Sequence, residues 1–228
     1  MSARVASHSR LICGESNLVR STVERHHSSM SLDYTRFVVG YHGCDAAVAR
    51  KVLLGEDQLK PSRNPYDWLA QGIYFWEHGP ARAMQFASNE AARKSSKIKT
   101  PDVIGAYIHL GNCFDLLDVA YTSVLEAVYP TFVAELEGRG ETIPTNTKPR
   151  TDGTKLFHAL DRAVIEFALK IAEDTAGKKF DTVRGAFWEG GEAFPGAEIQ
   201  KQSHIQIAVR NPDCVVGYFR PKSHLTPG

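Results

Sequence analysis

Tyr41-His42-Gly43 closes an apolar run, and Gly72-Ile73-Tyr74-Phe75 follows further along the chain. A core strand has no need of a histidine, and a tight turn has no need of a tyrosine. A neutral imidazole donates one hydrogen bond and accepts another. Taken alone, His42 still reads as a core histidine at a strand end. Trp68 and Trp76 flank the tyrosine, and Arg63 sits between Pro61 and Pro65. Near the C-terminus, Glu189, Glu192 and Glu198 precede the run His204-Ile205-Gln206-Ile207-Ala208-Val209-Arg210. Other chemistries lack their residues. His26-His27 has no third ligand at useful spacing, and Cys13, Cys44, Cys113 and Cys214 form no C-x-x-C pair. No G-x-G-x-x-G follows a strand, and no G-x-x-x-x-G-K-[ST] occurs, which removes Rossmann and P-loop readings.

The elements that must position these residues are legible in outline. Residues 1–33 are rich in Ser, Arg and His and read as a mobile arm, while 34–228 read as one domain. Arg36–Gly43 reads as a strand ending at a glycine turn. A short helix follows, with Asp45 as N-cap and Gly55 as stop. Gly72–Glu77 is a second strand, and Pro80 opens a helix. Asp102–Gly111 reads as a buried strand. Pro130 should kink or split a helix around 121–138, and 139–153 reads as a polar loop. Leu156, Leu160, Val164, Phe167 and Ile171 recur at helical spacing, which places His158 on a helix face. Strands over Thr182–Glu189, His204–Asn211 and Cys214–Arg220 complete an α+β pattern. Of the 228 residues, 43% are hydrophobic, enough for a core. Lys+Arg 27 against Asp+Glu 26 provides no broad footprint for duplex DNA or an anionic membrane. The scattered cysteines and the absence of an apolar leader point to a cytoplasmic protein.

"YHG" at 41–43, "GIYF" at 72–75 and, more loosely, "HIQIAVR" at 204–210 resemble the three motifs of the ADP-ribosyltransferases of the diphtheria-toxin and poly(ADP-ribose) polymerase type. Their order and spacing cover the chain from about Phe37 onward. The resemblance implies two small packed antiparallel or mixed sheets around an NAD cleft, with peripheral helices. It makes NAD the co-substrate. His42 would hydrogen-bond a ribose hydroxyl, and Gly43 would let the backbone approach the nicotinamide carboxamide, since no Cβ intervenes. Tyr74 would stack on the nicotinamide ring, and Phe86 would supply a second wall. Arg63 would contact the diphosphate. Ala83 stands where the family often has a serine hydroxyl. Gly43→Val would then block the ligand while sparing the fold.

The family's glutamate is missing. Sliding its pattern onto the last motif places Gln206 there, and a shift of two residues places His204. Neither carries a negative charge that could stabilise an oxocarbenium-like state. Glu189 leaves a strand into Gly190-Gly191 and is the candidate substitute, positioned by ordered backbone beside a pliable loop. The implied activity is single ADP-ribose transfer to a macromolecular acceptor, protein or nucleic acid, by a toxin-like or regulatory enzyme. An NAD glycohydrolase and a non-catalytic NAD- or ADP-ribose-binding module are the alternatives.

Overall fold

A computed structural model describes residues 36–62, 67–149 and 155–222. The arm over 1–33, with His26-His27 and Cys13, lies outside these residues. So does Arg63.

The architecture is α+β. Nine strands are described: β1 (Phe37–Asp45), β2 (Ile73–Glu77), β3 (Pro101–His109), β4 (Cys113–Asp115), β5 (Thr147–Pro149), β6 (Lys155–Phe157), β7 (Thr182–Phe187), β8 (His204–Val209) and β9 (Val215–Phe219). The helices are α1 (Ala46–Leu53), α2 (Pro80–Ala91), α3 (Val119–Gly138) and α4 (Ala159–Ala176). Seven strands form one mixed sheet in the order β4-β7-β8-β2-β1-β3-β9, and β5-β6 is a separate hairpin. Only β4 and β7 pair in parallel; the other neighbours run antiparallel. Among the described residues the two small packed sheets expected are not shown, since seven of the nine strands join one sheet. The main sheet stays continuous because β1 and β2 pair at Gly40–Glu77 and Tyr41–Trp76. Gly40 makes that junction fit, since a Cβ there would lie 2.8 Å from the Phe75 Cβ and 2.7 Å from Ile108.

Both faces of the sheet are covered. On one, Val124, Val128 and Phe132 of α3 and Ile165, Ala168 and Leu169 of α4 pack with Phe114, Val183 and Ala208. On the other, Ala49 and Val52 of α1 join Ile73, Phe75, Ile104, Ile108, Ile207 and Val209. Burying each large apolar side chain contributes about 1.5–3 kcal/mol. Under the second face, Arg184 of β7 makes two hydrogen bonds to Glu77 of β2 (2.6 and 3.1 Å) and reaches Asp115 of β4 at 3.0 Å. That buried cation ties three strands together.

Several local expectations shift. β1 does not stop at Gly43 but runs to Asp45, whose carboxylate accepts from the Ala47 amide and caps α1. Gly55, at φ 72°, follows the last turn of that helix. α3 passes unbroken through Pro130. Proline removes the bond to the Glu126 carbonyl, but both residues are exposed, where water can satisfy the carbonyl. The polar loop holds β5, whose hairpin partner β6 follows the loop, and Leu156 lies in β6 rather than in α4. The fully buried stripe of α4 is Val164, Ile165, Ala168, Leu169 and Ala172, with Leu160, Phe167 and Ile171 on its flanks. The two alanines are small, which lets that stripe approach its neighbours closely. Among the described residues, no helix is long and apolar enough to cross a membrane.

Candidate functional site

β1 and β2 part company just after Tyr41. Continued in register, their ladder would set Gly43 opposite Tyr74, but no such pair forms. β1 instead stays with β3 as far as Asp45–Pro101. The gap is bridged by a side chain: His42 Nδ1 lies 2.7 Å from the Tyr74 carbonyl. A carbonyl only accepts, so Nδ1 carries the proton and Nε2 keeps its lone pair. Burial lowers the pKa of His42 below the ordinary histidine value, against the opposing pull of that carbonyl. The ring is therefore neutral at neutral pH, with one acceptor left for a ligand.

A cleft of about 420 Å³ opens at this split. His42, Gly43, Tyr74, Phe86, Glu189 and Gln206 all line it. Tyr74 is fixed at its far end, where its hydroxyl donates to the Ala70 carbonyl at 2.6 Å and accepts from the Leu69 amide at 2.9 Å. Burial raises the pKa of this phenol above its usual value. It is thus a rigid aromatic wall and not a proton carrier. Phe86 of α2 lies with its ring 5.0 Å from that of Trp76, and Trp68 also lines the cleft. Gln206 of β8 is half-buried and stands between Trp76 and Gly185 in the sheet.

Gly43 is mid-strand, paired with Val103, and its missing Cβ serves a protein contact. A Cβ there would lie 2.2 Å from the Ala83 carbonyl oxygen of α2. Replacement would therefore push the helix, so Gly43→Val does not spare the fold. Ala83 itself is fully buried in a cluster with Tyr41, Trp76 and Val103.

Glu189 is only 5% exposed. Its Oε2 accepts from Arg82 Nη2 at 2.7 Å, which joins α2 to the β7–β8 connection. The negative charge expected of Glu189 is already matched by a cation. The loop after it is also laced by hydrogen bonds rather than pliable. Gln202 donates to the Glu189 carbonyl, Lys201 to that of Gly191 and Ala193 to that of Ile199. Glu192 accepts from the Gly196 amide, and both Glu192 and Glu198 face solvent. His204 Nδ1 donates to the Gln202 carbonyl at 2.6 Å and lies 3.9 Å from Glu189. Burial, aided by Arg82, lowers the pKa of His204 and keeps it neutral. His158, by contrast, sits at the start of α4 and bonds Asp161.

Arg82 is the functional candidate that sequence reasoning missed. Its signal was available: it stands four residues before Phe86, so both share one helix face. Lys60, Arg93 and Lys97 add positive charge to the lining, and Arg93 is paired with Glu90 at 2.8 Å. Among the described residues, no cluster of three or more His, Cys, Asp or Glu is arranged to hold a metal ion.

No family model matches the chain. An uncharacterised protein of Methanocaldococcus jannaschii is 23% identical over 200 residues, spanning 81% of this chain and 86% of its own length. That likeness carries no chemistry.

Proposed function

We propose that the chain is a mono-ADP-ribosyltransferase of the diphtheria-toxin and poly(ADP-ribose) polymerase type, which uses NAD as donor. One observation carries the reading: a single cleft, opened where two central strands separate, collects His42, Tyr74, Phe86 and Gln206 from four different elements. The neutral Nε2 of His42 accepts a hydrogen bond from a ribose hydroxyl. The locked ring of Tyr74 and the ring of Phe86 flank the nicotinamide; such stacking contributes about 0.5–1.5 kcal/mol beyond burial.

In the reaction the bond between the ribose C1′ and the nicotinamide nitrogen breaks. The electron pair leaves with nicotinamide, whose ring becomes neutral, and positive charge develops on the ribose. Gln206 orients a ribose hydroxyl but takes no proton. An acceptor nucleophile then attacks C1′ and releases its own proton. Lacking a free carboxylate at Gln206, the site suits one transfer rather than chain elongation, which needs an activated hydroxyl.

The test is incubation of the full chain with NAD labelled in the adenosine half, with and without a cell extract. Nicotinamide release with label carried into macromolecules is expected. Protease and nuclease digestion then sorts protein from nucleic-acid acceptors. Nicotinamide release with no label transferred identifies a glycohydrolase. NAD binding without release identifies a binding module.

A further inference from the structure

The wall formed by Trp76, Arg82, Glu189 and His204 is over-supplied with hydrogen-bond donors. Arg82 gives one guanidinium N–H to Glu189, yet its Nε is buried and bonds nothing among the described residues. The same holds for the indole Nε1 of Trp76, a side chain only 3% exposed. The guanidinium carbon lies 5.7 Å from the Trp76 ring centre, so both donors belong to one wall. Burying an N–H without an acceptor costs about 1–3 kcal/mol, which a suitable ligand atom would recover. On the acceptor side, Glu189 Oε2 takes the Arg82 N–H. The neutral His204 holds its proton on Nδ1 against the Gln202 carbonyl, which leaves Nε2 as one buried acceptor without a partner among the described residues. Two unpaired donors against one unpaired acceptor still leave donors in excess.

The backbone adds to the demand for an anion. Arg82 stands in the first turn of α2, where Gly79 offers no side-chain cap and no acidic residue is present. The start of a helix carries partial positive charge. Glu189, reaching in from the β7–β8 connection, supplies the negative partner. Arg82 and Glu189 both line the cleft, so a dissolved anion has access to the same cation.

We infer that Glu189 occupies the seat of a phosphoryl group, and that Arg82 is a binding residue for phosphate which the carboxylate holds in store. This rests on the reading of the cleft as an NAD site, and it deepens that reading. A bound donor brings its own phosphate to Arg82, which then exchanges one charge-assisted partner for another. Guanidinium suits both, since its fork of donors matches carboxylate and phosphate alike. Glu189 is released from its cation by the same exchange. Its full charge becomes available to the ribose only when the donor is seated, so an empty site stays neutral and unreactive.

The contrast between two variants tests this. Binding of inorganic phosphate, nicotinamide mononucleotide and nicotinamide riboside is measured by calorimetry on the full chain. Arg82→Ala should weaken the two phosphate-bearing ligands by at least about tenfold and leave the riboside unchanged. Arg82→Lys should fall between. Glu189→Gln should do the opposite and tighten phosphate several-fold, because no carboxylate competes. A merely structural ion pair would give losses of the same sign in both variants. If Arg82→Ala does not fold, Arg82→Lys and Glu189→Gln still decide. Unchanged or weaker phosphate binding in Glu189→Gln overturns the inference, as does equal loss of mononucleotide and riboside, and an adventitious water at these donors would give that outcome. NAD cleavage without the tightening defeats the inference alone. Tightening of phosphate with no binding of NAD defeats the NAD reading alone.

Discussion

In the proposed ADP-ribosyl transfer, Gln206 is the residue on which the chemistry turns, because it would stand where a charge is most useful. An amide can hold a hydroxyl in place, but it neither takes a proton nor offsets a developing cation. Gln206→Ala should therefore reduce turnover more than donor affinity, since a neutral hydrogen bond contributes only about 0.5–1.5 kcal/mol. Gln206→Glu is the sharper experiment. It places a carboxylate beside Trp76, where the proposed resemblance expects the glutamate, and on that proposal should preserve or raise nicotinamide release. A folded Gln206→Glu protein with lower activity than Gln206→Ala would remove this residue from the ribose. His42 and Tyr74 give the complementary expectation for binding. At a ligand concentration a hundred times Kd, NAD should stabilise the parent by about 2.7 kcal/mol. His42→Ala should remove most of that thermal shift. So should Tyr74→Ala. Unaltered shifts in both would relocate the donor.

At the scale of elements, Gly43 has a different importance from the one its sequence neighbours imply. The residue lets α2 lie against β1 with the Ala83 carbonyl in the space of a side chain. Gly43→Ala should thus cost about 1–3 kcal/mol by overpacking. It should also weaken NAD, since α2 carries both Arg82 and Phe86. Chemical denaturation measured beside NAD titration checks this; full stability with full affinity would contradict the packing account. The same element explains what was legible. Local signals marked the strands over Phe37, Ile73, Thr182 and His204 and the Pro80 start of α2, because hydrophobic pattern and caps are encoded nearby. The partition of β1 from β2 was not legible, since it depends on where a ladder stops. Nor was the Arg82–Glu189 pair, which joins residues 107 positions apart. The β5-β6 hairpin was hidden because three-residue strands in a polar stretch present no periodicity.

For the whole molecule, two histidines couple the cleft to folding. His42 is held by the Tyr74 carbonyl and lies beside Phe75. His204 is held by the Gln202 carbonyl and faces both Arg82 and Glu189. Burial lowers both pKa values in the folded chain, so the unfolded chain binds protons more readily. Stability then rises with pH wherever the unfolded state holds more protons. The contribution from each histidine is fully present above the unfolded value of about 6.5 and is lost as pH falls below it. Denaturation midpoints measured from neutral pH downward should therefore decline from about pH 6.5. His204→Gln should flatten that decline by up to one proton's worth of slope, because glutamine does not titrate. Its amide can still donate toward the Gln202 carbonyl. His42→Gln should flatten it independently, since the two rings share no hydrogen-bond partner. An undiminished slope in the double variant would mean that other groups, and not these buried rings, set the acid limit of the fold.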